Sequence, residues 1–240
     1  MSLKKFKQDT KEHIARTLLN FENINLSELQ TRQLLQTKAL NMAMDDVDTV
    51  IVTNLLNTFD YVENLNLKSI HINLDLYKKL NEYLTHEQAL FPGNIRTQDA
   101  YIACIDGSIP PCNVKEIDNK LSFLDNLSDK NYKDVVADTF MDLIRSQPFY
   151  DGNKRSTLFL CNLALAKNNL GYFSIPNSRY DNFEYNLTLF YRDNNKEPLK
   201  EMIKNELIMP SIQQKFKESL AEANKNKNSE NLSKTESLKI

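Results

Sequence analysis

The chain has 240 residues, of which 41% are apolar, and its formal net charge is −2. This length accommodates one medium domain with extensions or at most two small domains, and the apolar fraction is sufficient for a hydrophobic core without disulfides or metals. A net charge near zero provides no field that would attract nucleic acid or an acidic membrane surface. No stretch approaches the ~18 apolar residues of a membrane span.

Cysteine and the N-terminal residues indicate the compartment. Cys104, Cys112 and Cys161 are odd in number and form no C-x-x-C pair, which is typical of a reducing cytosol. No apolar stretch follows the N-terminal lysines, so a signal peptide is not expected. We therefore expect a cytoplasmic protein, and export by a route without a cleavable signal stays open.

Hydrophobic periodicity and a low glycine content favour helices. The chain has only four glycines, whereas a sheet-rich fold needs many tight turns. We predict a helical N-terminal extension over residues 1–46, a main domain over 47–209 and a charged tail over 210–240 that is partly disordered. Within the main domain, apolar stripes predict helices at 47–62 and at about 73–89.

A single strand-like segment follows. Residues 99–105 alternate weakly, and Asp106-Gly107 is a pair typical of hairpin turns, so we predict a short hairpin over residues 97–110. Asn113 with Glu116 three residues later resembles a capping box that opens the next helix.

The next helix, loop and helix organise the rest of the chain. An apolar stripe predicts a helix over residues 132–145, and residues 158–166 are apolar almost all round, as in a helix enclosed by protein. Between them, Pro148 ends the first helix and should push Gln147 towards extended geometry. Gly152 permits a turn that other residues resist.

After the central helix, the chain is predicted to stay helical. We expect Gly171 to end that helix, residues 177–191 to form another, and Pro198 to open a last helix by occupying its first turn.

The loop carries chemistry as well as a turn. Asn153, Lys154 and Arg155 bring donors and positive charge to the N-terminus of the central helix, which already favours anions through its free N–H groups and dipole. Asp151 adds a carboxylate beside them. This combination indicates a cradle for phosphate and a metal ion. Taken without its context, Asp151-Gly152-Asn153 is also an ordinary turn sequence.

The segment from Pro148 to Arg155 resembles the signature of the Fic/Doc (Fido) family, His-Pro-Phe-x-Asp/Glu-Gly-Asn-Gly/Lys-Arg. Gln147 stands where the family has its histidine. The resemblance extends over roughly residues 47–209. It implies an all-α, Fic-type helical fold with one short β-hairpin, the flap, which aligns the target.

The resemblance implies a reaction and a set of roles. Active members transfer AMP from ATP to a Ser, Thr or Tyr hydroxyl of a target protein, and the histidine takes the hydroxyl proton. By resemblance, Asp151 holds Mg²⁺, and the phosphates of ATP are bound by the motif residues Gly152, Asn153, Lys154 and Arg155. The flap residues would be Thr97, Gln98, Asp99, Ala100 and Tyr101.

Gln147 is the decisive departure. A glutamine amide has no basic site near neutral pH, and general-base catalysis contributes about 10²–10⁴ in rate. We therefore expect a catalytically impaired AMP-transferase homologue that keeps its phosphate site. Gln147 is equally compatible with a structural role in satisfying loop carbonyls.

Two other family features are missing from the sequence. Leu158 stands where many members carry a second arginine. Many members also carry an inhibitory helix with the pattern Ser/Thr-x-x-x-Glu-Gly/Asn, and no segment fits it.

Two alternatives stay open at this stage. One is an active nucleotidyl- or phosphoryl-transferase that uses another base, for which Asp99 and Asp142 are the nearest carboxylates in sequence. The other is a non-enzymatic regulatory or scaffold module that binds a protein partner. The expected partners are a nucleotide and a protein target or antitoxin-like regulator, without nucleic acid or membrane.

Overall fold

The computed structural model describes Phe6, residues 8–39 and residues 44–220. Nearly all regular structure there is helical, which confirms the predicted fold class. The helices are α1 (Gln8–Asn20), α2 (Glu28–Thr37), α3 (Asp46–Asn64), α4 (Leu74–Thr85), α5 (Val114–Asp125), α6 (Tyr132–Ser146), α7 (Asn153–Lys167), α8 (Asn177–Asp193) and α9 (Glu197–Met202), which continues as a π-helical turn, Ile203–Leu207. The predicted disorder at the end of the tail falls outside the described residues.

The central helix α7 organises the core. Its residues from Leu158 to Leu165 are fully buried, as its all-round apolar sequence predicts. Helices α1, α4, α5 and α6 pack around it. Because α7 is enclosed, the loop that leads into it is held against several neighbouring elements. Among the described residues, no helix is both long and apolar enough to cross a membrane.

The one regular sheet among the described residues joins two distant segments. Strand β1 (Gly171–Phe173) pairs antiparallel with β2 (Ile208–Pro210). Gly171 has φ +140°, and a Cβ there would lie 2.0 Å from the Met209 carbonyl oxygen. Gly171 is therefore required by the strand pairing. The prediction that it ends the central helix is wrong, because α7 ends at Lys167 and Asn169 makes the left-handed turn at φ 53°.

The flap is less regular than predicted. Residues 97–110 contain a single antiparallel bridge between Ala100 and Ile109, whose backbone N–H groups donate to each other's carbonyls at 2.9 and 2.8 Å. The weak alternation of 99–105 is not realised as a strand, because the chain turns again at residues 103–107. The Ala100–Ile109 pair keeps the general shape of a hairpin.

Helix α5 begins where the sequence places it. Asn113 is its N-cap, and its side chain accepts from the Lys115 N–H at 3.0 Å. The predicted capping box with Glu116 is not formed, because the Asn113 side chain accepts one residue earlier, from Lys115, and the Glu116 N–H donates to the Asn113 carbonyl at 3.0 Å.

Candidate active site

The loop between α6 and α7 lines a cleft of about 250 Å³. The cleft brings together Gln147 and the whole segment from Asp151 to Arg155. Four aromatic or apolar side chains, Tyr101, Ile102, Tyr150 and Tyr191, and one carboxylate, Glu22, complete the lining. Of the five predicted flap residues, only Tyr101 lines the cleft. The structure thus assembles the motif residues and adds a carboxylate from the N-terminal region.

Gln147 differs in conformation from its prediction. Its backbone is left-handed, at φ 47° and ψ 63°, not extended. It ends α6 by donating its backbone N–H to the Leu143 carbonyl at 3.2 Å. This left-handed helix end satisfies an otherwise free carbonyl and outweighs the preference set by the following proline.

Both polar atoms of the Gln147 side chain form hydrogen bonds within the protein. Its amide nitrogen donates to the Ile144 carbonyl, and its amide oxygen accepts from Asn153 Nδ2 at 2.8 Å. Asn153 in turn binds both backbone groups of Phe149, accepting at 2.8 Å and donating at 2.9 Å. Gln147 and Asn153 therefore hold the loop closed. The Asn153 side chain is therefore occupied by Gln147 and Phe149 and is not free to bind an anion. The donor that Asn153 can provide to an anion is its backbone N–H.

Gly152 and Asn81 fix the start of α7. Gly152 has φ +69°, and a Cβ there would lie 2.3 Å from Thr85 Cγ2. Asn81, buried on α4, donates to the Asp151 carbonyl at 2.8 Å and accepts from the Gly93 N–H at 3.0 Å. In the described part of the chain, no side chain caps the N-terminus of α7. The first N–H groups of α7 therefore stay available at the cleft.

The two basic side chains of the loop are placed differently. Lys154 lies 5.0 Å above the Phe21 ring and 3.8 Å from Glu184. Arg155 is 2% exposed and donates to the Leu84 carbonyl and to Gln88 Oε1, at 3.0 and 2.9 Å.

Arg155 also contacts two carboxylates. Its Nη2 lies 3.4 Å from Asp151 Oδ2, and its Nε lies 2.7 Å from Glu22 Oε1. The Nε–H does not point at that oxygen and makes no hydrogen bond, although it is buried. The contact of this donor with Glu22 is therefore an ion pair without an aligned hydrogen bond.

Glu22 lines the cleft, but the sequence pattern did not identify it as a site residue. It is followed by Asn23, as in the Glu-Asn end of the inhibitory pattern, but Leu18 stands where that pattern has Ser or Thr. Burial raises the pKa of Glu22; Arg155 opposes that rise and Asp151 adds to it. A carboxylate therefore does reach the motif arginine, although no segment fits the full pattern.

The two carboxylates suggested as substitute bases lie outside the cleft lining. Asp99 accepts from the Ser108 hydroxyl at 2.6 Å within the flap. Asp142 is bound by Lys120 and by Lys196. Burial alone would raise the pKa of Asp142, but these two lysines lower it overall. Neither group is placed to take a proton in the cleft.

A buried arginine connects the flap to the loop. Arg96 is 2% exposed, and its five side-chain hydrogen bonds go to backbone carbonyls of the flap and of the end of α6. Its own backbone N–H donates to the Pro148 carbonyl at 2.9 Å. Tyr150 adds a contact, because its hydroxyl lies 3.3 Å from both the backbone nitrogen and the hydroxyl of Thr97.

The chain resembles known proteins in sequence and in fold. Residues 71–165 match the model of the Fic/DOC family. The resemblance to that family is confirmed. The Fic/DOC match includes the cleft loop, α4 and the flap, and ends inside α7. Among curated proteins, no match was found.

Solved structures with a Fic fold superpose on the chain. Fic-1 (residues 134–508) from C. elegans matches with a TM-score of 0.66 and 16% identity, covering 94% of this chain and 67% of that one. A Fic family protein from Desulfovibrio desulfuricans G20 matches with a TM-score of 0.60 and 17% identity, covering 80% and 61%. A Fic domain containing signaling protein from Bacteroides thetaiotaomicron matches with a TM-score of 0.60 and 15% identity, covering 84% and 82%. The chain thus spans about two thirds of the length of the C. elegans structure, and the shared property is the fold.

Proposed function

We propose that the cleft binds the phosphates of a nucleoside triphosphate, ATP by resemblance, and that AMP transfer from it to a protein hydroxyl is impaired. The observation that carries this proposal is the uncapped N-terminus of α7, which opens into the cleft beside Lys154 and Arg155. Free N–H groups, the positive end of a helix dipole and two cations together favour a polyphosphate. The Nε–H of Arg155, which is ion-paired with Glu22 without an aligned hydrogen bond, is a donor that a phosphate oxygen would accept from.

The residues present fit one Mg²⁺ ion bound with the nucleotide. Among the residues described, no group of three or more acidic, His or Cys side chains could hold a metal by itself. Mg²⁺ usually keeps several waters and takes one or two carboxylates together with substrate phosphates. Asp151, whose side chain is 50% exposed at the cleft, fits that role. The ion would supply charge neutralisation of the phosphates.

Gln147 accounts for the impairment. In AMP transfer, the target hydroxyl oxygen forms a bond to the α-phosphorus, the bond to pyrophosphate breaks, and the hydroxyl proton needs an acceptor. The Gln147 amide is neutral and is already bound to Ile144 and Asn153. Without a base at this position, we expect a rate lower by about 10²–10⁴ than that of an enzyme with one.

Isothermal titration calorimetry with ATP and MgCl₂ tests the phosphate site. We expect saturable binding to the wild type, strong weakening in Arg155→Met, and unchanged binding in Lys200→Ala. Lys200 is a matched cation that pairs with Asp138 on α6. No heat of binding at millimolar nucleotide would overturn the proposal.

Glu22 supports a second candidate, a working transferase with a substitute base. It is a cleft carboxylate whose pKa is raised by burial, as a general base requires. Its contact with Arg155 favours the opposite role, in which it occupies the arginine that the phosphates need. Labelling of cell extract with radiolabelled ATP separates the two. Glu22→Gln lowers labelling if Glu22 is the base and raises it if Glu22 holds Arg155.

A further inference from the structure

The flap has little internal structure to hold it in place. Its internal backbone hydrogen bonds are those of the Ala100–Ile109 bridge and one turn bond, from the Ile105 N–H to the Ile102 carbonyl at 2.9 Å. Asp99 with Ser108 adds one exposed side-chain hydrogen bond. A single bridge pair is far below the three or more strands that make a sheet stable by itself. The position of the flap must therefore depend on contacts with the rest of the protein.

Tyr150 contacts Thr97, and the partly buried Ile102, Cys104 and Ile105 pack against the core. Arg96 provides the contacts that reach both arms of the flap. Its guanidinium makes five hydrogen bonds, all to backbone carbonyls. Three acceptors belong to the two arms of the flap, and two are the last carbonyls before Pro148. The acceptors are Gln98 at 2.6 Å, Ile109 at 2.9 Å, Pro110 at 2.7 Å, Ser146 at 2.9 Å and Gln147.

The electrostatics explain how a cation is buried here without a carboxylate. Ser146 is the last residue of α6 and Gln147 its C-cap, so their carbonyls lie at the negative end of the helix dipole. The remaining charge is compensated by the three flap carbonyls. Only arginine has five N–H donors in a planar fork; lysine has three donors at one point and cannot reach carbonyls on both sides.

We propose that Arg96 is a positioning residue that fixes the flap relative to residue 147 and so sets where a target hydroxyl is presented to the cleft. The role of the flap in aligning a target rests on the proposed function. The link between the flap and residue 147 does not depend on that function, because the Gln147 carbonyl is one of the Arg96 acceptors. Displacing the flap would then alter target presentation while leaving the phosphate loop from Asp151 to Arg155 intact.

Hydrogen exchange of Arg96→Lys tests the link without any assay of activity. The amides of Ala100 and Ile109, which are hydrogen-bonded across the flap, should exchange at least about tenfold faster than in the wild type. Mg-ATP affinity should stay within about twofold, a difference below roughly 0.5 kcal/mol. Flap exchange that matches the wild type would overturn the proposal.

Arg145→Lys is the matched control. Arg145 also donates to backbone carbonyls near a helix end, those of Phe190 at 2.5 Å and Tyr191 at 3.0 Å, but it makes no contact with the flap. We expect no change in exchange at Ala100 and Ile109 in this variant. Equal loosening of the flap in Arg145→Lys would assign the effect to general destabilisation and overturn the proposal.

A second variant decides the matter if Arg96→Lys does not fold. Ala100→Pro removes one N–H of the flap bridge and keeps Arg96. If Arg96 positions the flap, exchange at Ile109 stays within about threefold of the wild type. A larger rise would show that the bridge positions the flap and that Arg96 does not.

Should Gln147→His be active, Arg96→Lys in that background should raise KM for the target protein and leave KM for ATP unchanged.

Discussion

Two arginines at this site are equally buried but differently satisfied. Arg96 and Arg155 are each 2% exposed. Arg96 uses its five donors on five fixed backbone carbonyls. Arg155 shares its donors among one carbonyl, one amide and two carboxylates, and its Nε–H has no hydrogen-bond acceptor.

The difference separates a structural arginine from one available to a ligand. Fixed carbonyls leave no vacancy, so a new acceptor could bind Arg96 only by breaking an existing bond. The Arg155 partners at the cleft are side chains, Glu22 and a half-exposed Asp151, which can move. Burial alone therefore does not identify a phosphate-binding arginine; the nature of its partners does.

Replacing Arg96 should give the largest effect on stability. Arg96→Met leaves five carbonyls without their donor, and we expect a loss of about 3–5 kcal/mol in the free energy of unfolding. Urea titration measures it. Arg192→Met is the control, because Arg192 pairs with Asp193 on the surface and should cost less than about 1 kcal/mol. A comparable loss of stability in both variants would show that the five carbonyl contacts of Arg96 contribute no more than a surface ion pair.

Replacing Arg155 should act mainly on binding. Arg155→Met removes charge-assisted hydrogen bonds to phosphate, and we expect Mg-ATP affinity to fall about 100-fold, or about 2.7 kcal/mol. Stability should fall less than in Arg96→Met, because the Arg155 side chain makes three hydrogen bonds where Arg96 makes five. Calorimetry and urea titration on the same samples give both values. Unchanged affinity would place Arg155 with Arg96 as a structural group.

Releasing Arg155 from its carboxylate should strengthen binding. In Glu22→Gln, we expect Mg-ATP to bind about tenfold more tightly, or about 1.4 kcal/mol, because the phosphates no longer compete with a negative charge. Glu206→Gln is the control: Glu206 pairs with Arg179 at 3.0 Å, and neither residue lines the cleft. Weaker binding in Glu22→Gln would show that the carboxylate supports the nucleotide site.

The smallest effect is a pH dependence of stability. The pKa of Glu22 is raised by burial, so folding favours its protonated form. Its contribution to stability is therefore fully present below the unfolded pKa and lost as pH rises through the folded pKa. Between pH 4 and pH 7, the wild type should lose stability relative to Glu22→Gln in urea titrations. A stability difference between the wild type and Glu22→Gln that does not change with pH would contradict the raised pKa of Glu22.

Local sequence patterns predicted most helices and the cleft loop. Apolar periodicity located α3, α6 and α7, and Gly152 was expected at a turn that only glycine tolerates. The loop from Asp151 to Arg155 was recognised because its residues are consecutive. Asn81 was detectable in principle, because it is a polar residue on the buried stripe of α4, four positions after Tyr77.

Contacts between distant residues could not be predicted in this way. Arg96 donates to backbone carbonyls as far as 51 positions away in the sequence. Every residue has a backbone carbonyl, so the sequence does not indicate which ones Arg96 will bind. Glu22 reaches Arg155 because α1 packs on α7. The Gln147 conformation was mispredicted because a helix end that needs a left-handed residue outweighed a local proline rule.

The central claim is that the site lacks only a base, and Gln147→His tests it most directly. Purified wild type and variant are incubated with radiolabelled ATP and MgCl₂, with and without cell extract, and Gln147→Asn serves as a control that introduces no base. We predict transfer of label to protein by Gln147→His at least about 100-fold above the wild type, abolished by adding Arg155→Met. A variant that binds Mg-ATP as the wild type does but transfers no label would contradict the account.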